Sequence, residues 1–285
     1  MKIGIGLPNP IRGLPGRILV DWARLAEDRG FSTLATIDRV AFPSYESLVT
    51  LSAAGAVTER IGLLTNIVLA PTRNPILLAK EAASLDQISS GRLTLGLGVG
   101  TRKDDFEAAE RGFEDRGRRF DSDLEVMHAA WRGELVGGAE NPPTPSPVKG
   151  QGVPILMGGS SDVVLDRLVK WAEGWTAGGA PPDVVGPFAE RVREAWAASG
   201  RDGKPRLVAL AYYSIGEEEE STKNLLDYYG YLGDMAKGLA EFTPRTPDAI
   251  RERVKAFEQT GIDELILDPT VGSLDQVDRL ADIVL

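Results

Sequence analysis

The chain has 285 residues, no cysteine, and 42 acidic against 32 basic side chains, a formal charge of −10. The missing cysteines exclude disulfides, thiolate zinc sites and cysteine nucleophiles. The acidic balance argues against nucleic acid and anionic membranes, whose affinity for proteins rests on Lys and Arg. No run of ~18 apolar residues offers a membrane span, and Met1-Lys2-Ile3-Gly4-Ile5-Gly6 lacks a signal-peptide layout, so a soluble cytoplasmic protein is expected.

Lys2–Leu7 reads as a first strand, ended by Pro8 and Pro10. Residues 17–29 place Ile18, Leu19, Trp22, Leu25 and Ala26 on one helical face, closed by Gly30. Thr33–Ile37 is a second strand, Ser47–Arg60 a second helix, and Ile61–Leu69 a third strand, apolar throughout as a doubly covered parallel strand should be. A helix over 75–90 leads to strand four, Leu93–Val99. There Leu93, Leu95, Leu97 and Val99 alternate with Thr94, Gly96, Gly98 and Gly100, leaving one face where a flat ligand or another backbone approaches closely.

Residues 105–133 read as mostly helical, whereas 134–152 are rich in Gly and Pro without periodicity, an insertion expected to be functional or mobile. Pro154–Met157 restarts the sheet. Then come a helix over Asp162–Glu173, a strand at Trp175–Ala177, a helix over 183–198, and strand seven at Arg206–Ile215. Helical segments over 218–240 and 247–260, strand eight at Glu264–Leu267 and a helix from Leu274 complete the chain. The acidic run Glu217–Glu220 suits a solvated helix start, where carboxylates face the positive dipole end.

Eight strands alternating with helices favour a single-domain α/β fold, a (β/α)8 TIM barrel, for which ~250 residues is typical. The rival is an open dinucleotide-binding sheet, which wants G-x-G-x-x-G between its first strand and helix. Here that turn is Gly4-Ile5-Gly6-Leu7-Pro8-Asn9, and the cluster Gly96-x-Gly98-x-Gly100 has the wrong spacing.

A barrel carries its active site at the carboxyl ends of its strands. This nominates Leu7-Pro8-Asn9, Asp38-Arg39, Asn66–Pro71, Gly98–Arg102, Gly158–Ser161, Ala177–Gly179, Tyr212–Ser214 and Asp268-Pro269. Asp38 either pairs locally or caps a loop, or else hydrogen-bonds a cofactor ring or moves a proton. Gly158-Gly159-Ser160-Ser161-Asp162 reads both as a helix-capping loop and as an anion cradle of free N–H groups. The only histidine, His128, falls on an apolar helical stripe with Leu124, Met127 and Trp131, and reads as a packed residue. Asp104, Asp105, Glu107 and Glu110 read as dipole compensation before a metal site. A chain poor in reactive groups but rich in glycine at strand ends points to a cofactor that carries the chemistry.

Several of these segments resemble the bacterial luciferase-like flavin-dependent oxidoreductases. They are Ala53–Asn66, Pro71–Pro75, Leu78-Ala79-Lys80, Ala83–Asp86 and Ser90–Gly100, then Phe106, Gly117–Asp121, Pro154–Gly159 and Gly174-Trp175. The resemblance implies a (β/α)8 barrel that binds FMN, or in one branch a deazaflavin coenzyme. On it, Gly98, Gly100, Thr101 and Arg102, with Gly158, Gly159, Ser160 and Ser161, would hold the ribityl phosphate. Asp38 and Arg39 would stand near the reactive edge of the ring, where many relatives carry histidine. Leu7, Asn66 and Ile67 would border the ring, with a non-proline cis peptide at about Asn66–Ile67; 134–152 would sit where an active-site lid is common, and the substrate pocket would be built by loops, notably 134–152 and 216–245.

The activity so implied is a reduced-FMN-dependent monooxygenase acting with O2 on a small organic substrate. A separate flavin reductase and a homodimer are its expected partners. A deazaflavin-dependent hydride-transfer enzyme and a non-catalytic flavin-binding subunit are the alternatives; the absence of a Lys/Arg cluster in the phosphate loop favours FMN.

Overall fold

The computed structural model describes residues 1–150 and 152–285; Gln151, in the predicted insertion, lies outside the described residues. The first half contains β1 (Lys2–Gly6), α1 (Gly16–Arg29), β2 (Thr33–Thr36), α2 (Ser47–Ala56), β3 (Gly62–Leu69), α3 (Pro75–Ile88), β4 (Leu93–Gly98), α4 (Lys103–Ala108) and α5 (Arg116–Trp131). The second half contains β5 (Ile155–Gly158), α6 (Asp162–Trp171), β6 (Gly174–Ala177), α7 (Pro182–Ala198), β7 (Arg206–Tyr213), α8 (Glu218–Tyr229), α9 (Asp234–Glu241), α10 (Pro247–Glu258), β8 (Glu264–Pro269) and α11 (Asp275–Val284). The strands form a closed parallel barrel in chain order, with β8 returning to β1. The expected TIM barrel is therefore present, and the open sheet is excluded. Among the described residues no helix is long and apolar enough to cross a membrane.

Local chemistry sets the helices. The Asn74 side chain accepts from the Ile76 and Leu77 amides and Pro75 opens α3, a strong start signal. Gly30 closes α1 at φ 90°, returning its N–H to the Ala26 and Glu27 carbonyls. The predicted helix over 47–60 stops at Ala56 because Arg92 gathers the Gly55, Thr58 and Ile61 carbonyls with its guanidinium. The run Glu218–Glu220 is exposed in the first turn of α8, as expected.

Alternation along the strands sorts side chains into two cores. Ile3, Ile5 and Leu7 of the first strand and Leu93, Leu95 and Leu97 of β4 face the helices. The opposite phase fills the barrel in layers. At the amino-terminal end Glu264 accepts from Ser32, Thr33 and Arg206, and Arg206 also donates to Thr94. Burial pushes the Glu264 carboxyl up, but these hydroxyls and the guanidinium outweigh it and hold it below its ordinary value. A middle layer of Ala35, Leu64, Leu156, Val208 and Ile266 is apolar and fully buried.

The glycine face of β4 has a specific occupant. Pairing between β3 and β4 slips between Thr65 and Val68, a bulge spanning the cis peptide Asn66–Ile67, which lies where the resemblance put it. Ile67 lies so close that a Cβ on Gly98 or Gly158 would overlap it, and a Cβ on Gly96 would overlap the Thr65 carbonyl. Neighbouring backbone and one isoleucine, rather than a ligand, thus use most of the space expected on this face.

The insertion packs along the outside of the barrel. The Val148 amide donates to Asp86, Gln87 donates to the Ser146 carbonyl, and Thr144 donates to the Ala130 carbonyl. Gly152 lies against Trp131. Residues 105–133, expected to be mostly helical, and the helical stretch 218–240 are each divided into two helices. Glu110 at positive φ separates α4 from α5; Gly230 and Gly233 separate α8 from α9, with one 3-10 turn, Gly230–Leu232, between them. His128 stacks on Trp171 at 4.9 Å on the outer layer, and burial lowers its pKa.

Gly96→Ala and Gly174→Ala are expected to destabilise by roughly 1–3 kcal/mol each, because each methyl meets rigid backbone. Gly178→Ala, with open space at its Cβ, should leave the urea midpoint near wild type. Equal midpoints for all three would contradict this packing.

Candidate active site

The strand carboxyl ends open into a cleft of about 340 Å³. Its walls include Ile37, Asp38, Arg39, Asn66, Ile67, Gly98–Arg102, Gly158, Gly159, Gly178, Gly179, Tyr212 and Tyr229. A larger depression of about 650 Å³ lies at the opposite end of the barrel. Its Arg92, Arg206 and Glu264 are already hydrogen-bonded to carbonyls, hydroxyls or each other, so it reads as architecture.

The expected residues converge unequally. Asn66 borders the cleft on the bulge; its Oδ1 accepts from Thr176 at 2.7 Å, while its buried Nδ2 has no partner. That amide is a donor in search of an acceptor. Gly178 leaves open space where a Cβ would project. Gly100 and Gly159 take positive φ, 74° and 110°, and the Trp175 indole donates to the Gly159 carbonyl. Leu7 is fully buried among the helices, in phase with Ile3 and Ile5, and does not border the cleft. Ser160 and Ser161 stand exposed just outside its lining, where α6 begins with no side chain capping its amides.

Asp38 is tightly held. Its carboxylate accepts from Arg73 at 3.0 and 3.1 Å, from the Leu69 amide at 3.0 Å and from Ser47 at 3.4 Å. These contacts lock the β2 end to the β3 end. Arg39 is buried, donates to the Tyr228 carbonyl at 2.9 Å, and lies 4.6 Å from the Phe42 ring centre. The guanidinium of Arg102 packs 4.1 Å over Tyr231. Asp105, in the first turn of α4, accepts from the Val40 and Ala41 amides, so its role is to pin the β2 loop.

Above the mouth stand residues of 216–245, a segment expected among the pocket loops, though its individual tyrosines were not singled out from the sequence. The break after α8 brings Tyr228, Tyr229 and Tyr231 over the cleft, the place expected for 134–152; no described residue of that insertion lines it. The run Tyr228-Tyr229-Gly230-Tyr231, aromatic and interrupted by glycine, was the available signal. Behind these rings Asp268 is the penultimate residue of β8. It is fully buried, neither oxygen has a partner, and burial raises its pKa well above the carboxylate range. A Cβ on Gly6 would overlap it, so that glycine makes its place.

The raised Asp268 carboxyl has a stability consequence. Its contribution is full below the unfolded value of roughly 3.9 and is lost as pH rises through the folded value. Relative to Asp268→Asn, wild-type stability should therefore fall from about pH 4 upward, by up to roughly 1.4 kcal/mol per pH unit. Denaturation midpoints across that range test it, and parallel curves for the two proteins would contradict it.

The profile of the family described as "Luciferase-like monooxygenase" matches residues 1–283. An uncharacterised protein of Mycobacterium tuberculosis is 32% identical over 223 residues, 66% of this chain and 77% of that one. Among solved structures, monooxygenase RslO1 from Streptomyces bottropensis superposes with TM-score 0.81 at 22% identity, covering 99% of this chain and 97% of that one. An F420-dependent secondary alcohol dehydrogenase gives 0.79 at 16% identity, with coverage of 99% and 98%. The oxygenating constituent of 3,6-diketocamphane monooxygenase from Pseudomonas putida, in complex with FMN, gives 0.75 at 16% identity, with coverage of 100% and 97%. With its profile matched across the barrel, this chain belongs to the luciferase-like monooxygenase family.

Proposed function

We propose that this protein binds reduced FMN at the barrel mouth and, with O2, oxygenates a small organic substrate, its reduced flavin coming from a separate reductase. The observation that carries the reading is the cleft itself, at the carboxyl ends of the strands, bordered by Asn66, Ile67 and Tyr229 and open where a Cβ would project from Gly178. Flat aromatic ligands need close backbone approach, which Gly178 leaves open.

Bound reduced FMN would supply two electrons to O2. The chain's own residues bind, orient and exclude water. Ile67 would present an apolar surface to the ring, and Asn66 would border it. The open amides at the start of α6, with Ser160 and Ser161 beside them, suit an anionic phosphate. Asp38 acts through its Arg73 pair and the Leu69 amide, fixing the β2 and β3 ends that border the ring. Arg39 holds Tyr228 and Tyr231 over the opening. Closure by these rings keeps solvent from the reactive centre.

Titration of the purified protein with FMN and with the deazaflavin coenzyme F420, followed by fluorescence, tests the cofactor. FMN is expected to bind preferentially, and reduced FMN with O2 to support turnover. Preferential F420 binding with FMN ignored would replace the monooxygenase by a hydride-transfer enzyme. Gly178→Ala should weaken FMN at least about tenfold, a loss of ~1.4 kcal/mol, at unchanged stability; undiminished affinity would remove Gly178 from the flavin site.

A further inference from the structure

Behind the tyrosine wall lies a second, small space of about 20 Å³, bordered by Asp268, Tyr212, Tyr228, Tyr229, Asn224 and Ile37 among others. That volume suits one water. Tyr212 and Tyr229 border both this space and the main cleft, and their phenol oxygens are hydrogen-bonded to each other. Tyr212 and Asp268 are register partners on β7 and β8, so their side chains leave the barrel wall on the same side. A buried carboxyl with no partner is a costly arrangement for folding alone, which makes it a candidate for function.

We propose that Asp268 is the proton store of this site, passing a proton to the cleft through the Tyr212–Tyr229 phenol pair. The inference rests on the flavin reading for its acceptor, an anionic oxygen of the substrate or of reduced O2. The titratable groups facing Asp268 are phenols, Tyr212 from β7 and Tyr228 and Tyr229 from α8; Tyr213, the next residue of β7, lies near but turns to the helix-facing core. The elements packed around it contribute Gly6 from β1 and Ile37 after β2, which carry no charge. Burial alone therefore governs its protonation, and it stays neutral at pH values where an ordinary carboxyl is ionised. Burial likewise raises the phenols, so they remain protonated hydroxyls able to donate and accept at once.

The transfer moves one proton and no electrons. The Asp268 O–H gives its proton to Tyr212 Oη across one water in the small space they both border. The Tyr212 hydroxyl proton passes to Tyr229 Oη, and the Tyr229 hydroxyl proton goes to the anionic oxygen. Both tyrosines end as they began, and the Asp268 carboxylate regains its proton from solvent. Asp268 acts through Tyr229 and is a positioning group for the proton rather than a contact of the substrate.

The test has two arms. Infrared spectra of the ligand-free protein at neutral pH should contain the carbonyl stretch of a neutral carboxylic acid. That band should be missing in Asp268→Asn and shifted in Tyr212→Phe; a wild-type protein without it overturns the proposal. In the second arm, protein loaded with reduced FMN is mixed with O2 and flavin oxidation is followed across pH. The wild-type rate should fall on the alkaline side, as Asp268 ionises. Asp268→Asn and Tyr229→Phe should each be slower by roughly a hundredfold, without that pH limb and with FMN affinity retained, and Asp268→Glu should restore part of the rate. Unchanged rates and pH profiles in both variants overturn the proposal even if the infrared band is found. A wild-type protein that shows the band but binds neither FMN nor F420 refutes the flavin reading, while the band still supports the stored proton.

Discussion

The governing constraint is the fixed interior volume of an eight-stranded barrel, which side chains must fill. Here the strands contribute unequally to the upper half. Gly6, Gly98, Gly158 and Gly178 give nothing from β1, β4, β5 or the end of β6, so bulk must come from elsewhere. Ile67 supplies it from the β3 bulge, and Tyr212 and Asp268 supply it from β7 and β8. The remainder is the cleft. Its position is thus a result of where glycine replaces bulk, rather than of a loop folded to make a pocket.

The mouth is held by charges that pair with partners far away in sequence. Asp38 joins Arg73, Arg39 reaches the Tyr228 carbonyl, and Asp105 collects two amides of the β2 loop. Arg39 also lies 5.2 Å from Tyr228 and 5.8 Å from Tyr231, and a desolvated cation over a ring is worth about 2 kcal/mol. A single guanidinium thereby couples the end of β2 to the segment after α8. Each of these bonds ties a loop to the rigid wall, which keeps the tyrosines over the opening.

Local signals made much of this legible. Alternation in Leu93–Val99 separated the leucines of one face from the glycines of the other, and the strand-end rule alone names Asn66, Gly98, Gly158, Gly178 and Asp268. Helix breaks were harder. Residues 218–240 keep an apolar period across Gly230 and Gly233, and only packing over the mouth decides that the chain turns there. The partner of Asp38 was equally hidden, since Arg73 lies 35 residues away and meets it through barrel closure. Leu7 was assigned by proximity to a strand end, but the two-residue phase of the strand turns it outward. The Gly/Pro composition of 134–152 announced irregular backbone and could not say on which side of the barrel it lies.

The apolar middle layer carries one last implication. Ala35, Leu64, Leu156, Val208 and Ile266 stop the interior halfway, and the Arg206–Glu264 pair backs them. The barrel is a blind shaft with a single entrance. Whatever occupies the cleft therefore enters and leaves by the same end, and the opposite depression offers no second way through.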